Sequence, residues 1–135
     1  MRHASLCIAV ALLLTACSRA DPGISTRLAA RVDSGAATVD LAELGPPNWD
    51  KICVLGPYAT NERAEQVLGF KWDAKGKSSI GSNDGINLLV FVKGQQVVAY
   101  AEHPRNKGDF RELKPPCMSR SHAQLLRQTD AGGWV

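Results

Sequence analysis

The chain has 135 residues, of which 44% are hydrophobic, and 16 basic against 13 acidic side chains give it a formal charge of +3. This length suits one small domain and leaves no room for two. The charge is small and no basic stripe is interleaved with aromatic residues, which argues against a nucleic-acid partner.

The first sixteen residues have the organisation of an export signal. A short basic start at Arg2 and His3 precedes an apolar run from Leu6 to Leu14, and small residues follow. The apolar run is too short to span a bilayer as a helix. Residues 1–16 are therefore predicted to be a signal peptide.

The sequence Leu14-Thr15-Ala16-Cys17 at the end of this run resembles the lipobox of bacterial lipoproteins. In that family the signal peptidase cuts before the cysteine, and the thiol carries a diacylglycerol. The resemblance implies lipidation of Cys17 and a membrane anchor that faces the periplasm. Ser18 follows the cysteine where many inner-membrane members have aspartate, which implies delivery to the outer membrane.

The remaining cysteines predict one disulfide bond. Cys7 leaves with the signal and Cys17 is assigned to the lipid, so that Cys53 and Cys117 remain. An oxidising compartment favours their pairing, and a small domain gains stability from a covalent link. Two buried free thiols are the alternative. No metal site is predicted, because no CxxC motif or paired His/Cys spacing is present.

Residues 17–37 are small, polar and irregular. Breakers stand at Asp21-Pro22-Gly23 and Asp33-Ser34-Gly35, and a helix between them would be too short to persist without packing. The segment 17–37 is therefore predicted to be a lipidated, flexible tether, and residues 38–135 are predicted to be the folded domain.

The pattern of residues 38–135 predicts an α+β fold. Residues 49–55 indicate a buried central strand that ends at Gly56-Pro57. Residues 60–69 predict a short helix, with Thr60 as N-cap and Gly69 as a left-handed stop. Residues 86–92 and 96–101 predict two antiparallel strands joined by a type II′ turn at Gly94-Gln95. The result is an antiparallel sheet with one short helix packed on a face, in a single small domain.

Four residues of this domain are candidates for contact with a partner. Tyr58 lies between a predicted strand and a helix start, where free amides can hold a carboxylate. Trp72 follows that helix, and both aromatic residues would also serve as packing residues. His103 and Arg105 belong to a predicted polar loop after the hairpin, and loops on a rigid sheet are common binding surfaces.

The residues that could support catalysis form no recognisable motif. His103, Asp109 and His122, with Ser119 or Ser121, could supply a triad, but neither Gly-x-Ser-x-Gly nor His-Glu-x-x-His is present. The run from Trp49 to Tyr58, followed by a helix that ends in Leu-Gly, resembles small bacterial envelope lipoproteins. That resemblance brings no catalytic residues.

The predicted function is therefore that of a non-enzymatic lipoprotein without a cofactor. It would bind another envelope protein as an inhibitor, an immunity factor or an accessory subunit. One alternative is a binder of a small molecule or cell-wall fragment near Tyr58 and Trp72. The other is a small hydrolase.

Overall fold

A computed structural model of the chain describes residues 18–128 and 133–135. The predicted signal peptide, residues 1–16, and the predicted lipidation site, Cys17, lie outside the described residues. The strands are β1 (Arg19–Ala20), β2 (Thr38–Asp40), β3 (Lys51–Leu55), β4 (Ile86–Lys93), β5 (Gln96–Pro104), β6 (Cys117–Ser119) and β7 (Gln124–Leu126). The helices are α1 (Pro22–Asp33), α2 (Asn61–Leu68) and α3 (Ala74–Lys77).

A five-stranded sheet with the order β1-β5-β4-β3-β6 forms the centre of the fold, and β2 pairs with β7 in a separate two-stranded sheet. The central strand is β4. The prediction that residues 49–55 form the central strand is therefore wrong, because this segment contains β3, the neighbour of β4. Every residue from Ile86 to Val92 is buried, and all but Asn87 are apolar, because both faces of β4 are covered. A strand at the middle of two packed layers has no solvent side on which polar residues would alternate.

The β4–β5 hairpin has the predicted antiparallel pairing and two-residue turn. Lys93 pairs with Gln96, and Gly94 has a φ of 60°. Gln95 is not among the residues with positive φ, which matches a type II′ turn. Glycine accepts this φ without the steric cost of a Cβ atom.

The two faces of the sheet carry separate apolar clusters. On one face, Ile52 and Phe91 pack with α1 and the two-stranded sheet. On the other, Leu55 and Val90 pack under Leu68 of α2 and its neighbours. The α+β class is confirmed, but the prediction of one helix on one face is wrong, because helices cover both faces.

Helix α2 has the capping residues that its sequence predicts. The Thr60 hydroxyl accepts a hydrogen bond from Arg63 N at 3.0 Å, and Gly69 ends the helix with a φ of 87°. Ala64 and Leu68 are buried against the sheet. Local signals at both ends therefore define this helix.

Residues 19–33 differ most from the prediction. β1 pairs in parallel with β5, and Ile24 and Leu28 of α1 are fully buried. The Asp21 carboxylate accepts a hydrogen bond from Gly23 N at 3.1 Å, so that Asp21-Pro22-Gly23 starts a helix and does not break the chain. The prediction of a flexible tether over 17–37 is therefore wrong for residues 19–33. The folded unit begins near Arg19 and not at residue 38. The parallel β1–β5 pair also makes the sheet mixed and not purely antiparallel.

Cys53 and Cys117 form the predicted disulfide bond. They face each other in the β3–β6 ladder, with their Cα atoms 4.0 Å apart. The bond therefore joins the short edge strand β6 to the interior of the sheet. Two free thiols, the alternative at these positions, do not occur. Within residues 18–128 and 133–135, no helix combines the length and apolar character needed to cross a bilayer.

Candidate binding cleft at Tyr58

Tyr58 lies where β3 leaves the sheet and turns toward α2. Ala59 N donates to Gly56 O at 3.3 Å, and Pro57 and Tyr58 occupy the two central positions of this turn. Tyr58 has a φ of 60°, as the second central residue of a type II turn requires, a position that normally holds glycine or asparagine. Among the described residues it is the only non-glycine residue with positive φ.

Tyr58 is 58% exposed, although it is a large aromatic residue. A left-handed conformation costs a residue with a Cβ atom about 1–2 kcal/mol. Packing offsets little of this cost, since more than half of the residue's surface is exposed. A strained, exposed aromatic residue of this kind is typical of functional positions.

Tyr58 lines an open cleft of about 500 Å³ at one end of the five-stranded sheet. The end of β3, the start of β4 and the end of β5 meet there, because neighbouring strands of this part of the sheet are antiparallel. The other lining residues are Gly56, Pro57, Asp84, Arg105, Arg111 and Glu112. Tyr58 and Arg105, two of the four predicted contact residues, are thus brought together.

Arg105 is held rigidly at the wall of the cleft. Its Nε and Nη2 donate to Asp109 Oδ2 at 2.9 and 2.8 Å, and its Nη1 donates to Asp84 O at 2.6 Å. Partial burial acts to raise the pKa of Asp109, but hydrogen bonds from Arg105 and from Arg111 N outweigh it and lower that pKa. Asp109 therefore remains ionised and neutralises Arg105.

Arg111 is the more available cation of the cleft. Its side chain is 49% exposed, and its Nε lies 3.4 Å from Asp109 Oδ2 and 3.6 Å from Glu112 Oε1. Arg111, Asp84 and Glu112 are not among the four residues predicted to contact a partner. Asp84 precedes β4 and Arg105 follows β5, so the hairpin topology alone places these two at the same sheet end.

Trp72 lines a different depression, together with Asn61 and Asp73. Its half-buried ring packs edge-on against Tyr100, with the ring centroids 5.3 Å apart. The structure therefore does not join Trp72 and Tyr58 in one site, as the small-molecule alternative requires.

His103 is completely buried, so the prediction that it contacts a partner from an exposed loop is wrong. β5 extends to Pro104, and strand alternation turns His103 inward while Glu102 and Pro104 face solvent. The imidazole Nδ1 accepts from the Ser25 hydroxyl at 2.9 Å, and Nε2 donates to Lys107 O at 3.0 Å. Lys107 O can only accept, so Nε2 carries a proton. Burial lowers the pKa of His103, which favours the neutral ring, in which Nδ1 is the acceptor.

The residues proposed for hydrolysis are dispersed. His122 Nδ1 lies 3.1 Å from Ser119 Oγ and 3.0 Å from Ser121 Oγ in an exposed turn, whereas Asp109 is bound to Arg105 and His103 is in the core. In the described part of the chain, no three His, Cys, Asp or Glu side chains are grouped to hold a metal ion.

No protein-family model matches this chain, and no curated protein or solved structure shows significant similarity to it. The sheet topology and the Cys53–Cys117 bond define the class of the protein as a small, disulfide-linked α+β domain.

Proposed function

We propose that this chain is a bacterial lipoprotein, anchored through Cys17 in the outer membrane and facing the periplasm. Its α+β domain binds another envelope protein through the Tyr58 cleft. The Leu14–Cys17 sequence supports the anchor. The Cys53–Cys117 disulfide accords with an oxidising compartment.

The exposed, left-handed Tyr58 carries the binding part of the proposal. Tyrosine and arginine are the residue types most enriched at the energetic centres of protein interfaces, and charged residues form the rims. In the cleft, Tyr58 and Arg111 are residues of these two types, and Asp84 and Glu112 place acidic groups around them. This composition fits a protein surface better than a small ligand, whose sites are enclosed and mostly apolar.

The anchor is tested with Cys17→Ala in the full chain. We expect this variant to leave the membrane fraction or to remain unprocessed, while the unchanged chain carries a diacylglycerol mass on its first residue. Normal membrane fractionation of Cys17→Ala would overturn the lipoprotein assignment.

The binding surface is tested by site-specific photo-crosslinking in intact cells. A photoreactive phenylalanine analogue at Tyr58 should capture one envelope protein, and the same analogue at Gln66, an exposed residue of α2, should not. Arg111→Ala should weaken the Tyr58 adduct. A Tyr58 probe with no specific adduct, or adducts equal at both positions, would overturn the assignment of this cleft.

A further inference from the structure

We infer that the lipid holds the domain directly on the bilayer, with the β4–β5 turn toward the headgroups and the Tyr58 cleft on the side away from the membrane. The inference rests on the proposed lipidation of Cys17. It goes further by assigning a membrane-facing end to the fold.

The first step is the short connection between anchor and fold. Ser18 follows Cys17 in the chain, and Arg19 is already paired with Ala99 in the sheet. Successive Cα atoms are about 3.8 Å apart, so Arg19 lies within about 8 Å of the Cα atom of the lipidated residue. A separation this small keeps the start of β1 at the headgroups.

The second step is the direction of β1. Because β1 and β5 are parallel, the chain reaches Arg19 from the end of the sheet where β5 begins. Gln96 starts β5 there, and the exposed Gly94–Gln95 turn projects from the same end. The lipid and the turn are therefore at one end of the sheet.

The third step is the position of the cleft. Arg105 follows the last residue of β5 and lies six residues beyond Ala99, the partner of Arg19. At about 3.3 Å per residue, this places the cleft about 20 Å from Arg19 along the strand direction. Tyr58 follows Leu55, which ends β3 at that same far end.

Charge favours the same orientation. At the anchor end, the terminal residues of the five strands are Arg19, Gln96, Lys93, Lys51 and Ser119. Lys51 Nζ donates to Leu68 O at 2.8 Å, so Arg19 and Lys93 are the exposed basic residues of this set. At the opposite end they are Ala20, Pro104, Ile86, Leu55 and Cys117, none of which is charged. The cleft beyond them holds three acidic and two basic residues: Asp84, Asp109, Glu112, Arg105 and Arg111. Asp50, beside β3, is acidic, but its carboxylate accepts a hydrogen bond from Gly94 N at 2.9 Å. Basic groups at the anchor end attract anionic lipid headgroups.

The experiment uses the processed, lipidated protein in vesicles that contain anionic lipid and a headgroup nitroxide quencher. Gln95→Cys and Asn106→Cys are labelled separately with a small fluorophore, with the Cys53–Cys117 disulfide left oxidised. Both positions are exposed, and they mark opposite ends of β5. Because the two ends of β5 are about 26 Å apart, we expect quenching at position 95 to be at least about fivefold stronger than at position 106.

The matched control adds Cys17→Ala to each labelled protein, which should abolish quenching at both positions. Equal quenching at the two positions in vesicle-bound protein, or stronger quenching at 106, would overturn the orientation and leave the lipid anchor intact. Absence of the diacylglycerol mass would overturn the proposed function, and the orientation with it.

Discussion

The hydroxyl of Ser25 in α1 donates to Nδ1 of His103 in β5 at 2.9 Å, and both residues are buried. This bond joins the first helix of the fold to the sheet. In the neutral ring the hydroxyl is the donor, whereas in a protonated ring Nδ1 would donate to the hydroxyl oxygen.

The buried His103 makes the free energy of unfolding depend on pH. Burial lowers its pKa in the folded state, so between that pKa and the ordinary value near 6.5 the unfolded chain binds a proton that the folded chain does not. Stability is therefore fully present above about pH 6.5 and decreases as the pH falls toward the folded-state pKa. Urea denaturation at about pH 7.5 and about pH 5.5 measures the loss.

His103→Gln should reduce this pH dependence relative to the unchanged protein. The same pH dependence in His103→Gln and in the unchanged protein would contradict a role for His103.

Tyr58→Gly should stabilise the fold by about 0.5–1 kcal/mol, because glycine removes the cost of the left-handed conformation at the expense of some chain entropy. Tyr58→Ala keeps the Cβ atom and should show no such gain. Both variants should also bind the protein captured by the Tyr58 probe more weakly in a pull-down, because the ring that contacts it is gone. A destabilised Tyr58→Gly would show that the ring is structural. The measurement is chemical denaturation of the three proteins in parallel.

Leu28→Ala should lower the free energy of unfolding by about 2–5 kcal/mol, because Leu28 is fully buried and the substitution leaves a cavity. The control Ala30→Ser, on the exposed side of α1, should change it by less than about 0.5 kcal/mol. Equal stabilities would mean that residues 22–33 behave as a tether after all.

The double variant Cys53→Ser, Cys117→Ser should be less stable by about 4 kcal/mol, since the bridge closes a long loop in the unfolded chain. Intact mass of the unchanged protein should show the loss of two hydrogen atoms. Thiol labelling of both cysteines in the unreduced, denatured protein would contradict the bridge.

Local signals account for the elements that could be predicted. Thr60 and Gly69 mark the two ends of α2, and Gly94 marks the hairpin, because each acts on neighbouring backbone atoms. The disulfide followed from the number of remaining cysteines. None of these predictions required knowledge of distant contacts.

The elements that could not be predicted depend on distant contacts. β1 has two residues, which carry no periodicity, and it exists through pairing with Ala99 and Tyr100. The helix that starts at Pro22 is stabilised by burying Ile24 and Leu28 against the sheet. The composition of the Tyr58 cleft also depends on distant contacts. Tyr58 was identified, but Arg111 joins it only through tertiary structure.

The parallel pairing of β1 with β5 also determines how the domain resists force. A pull on Ser18 along the strand axis loads the β1–β5 hydrogen bonds and the 2.9 Å bond from Asp21 N to Tyr100 O at the same time. Such shearing requires these bonds to break together, whereas unzipping would break them one by one. In the anchored, partner-bound arrangement proposed above, tension between the membrane and the partner would be resisted where the chain enters the sheet.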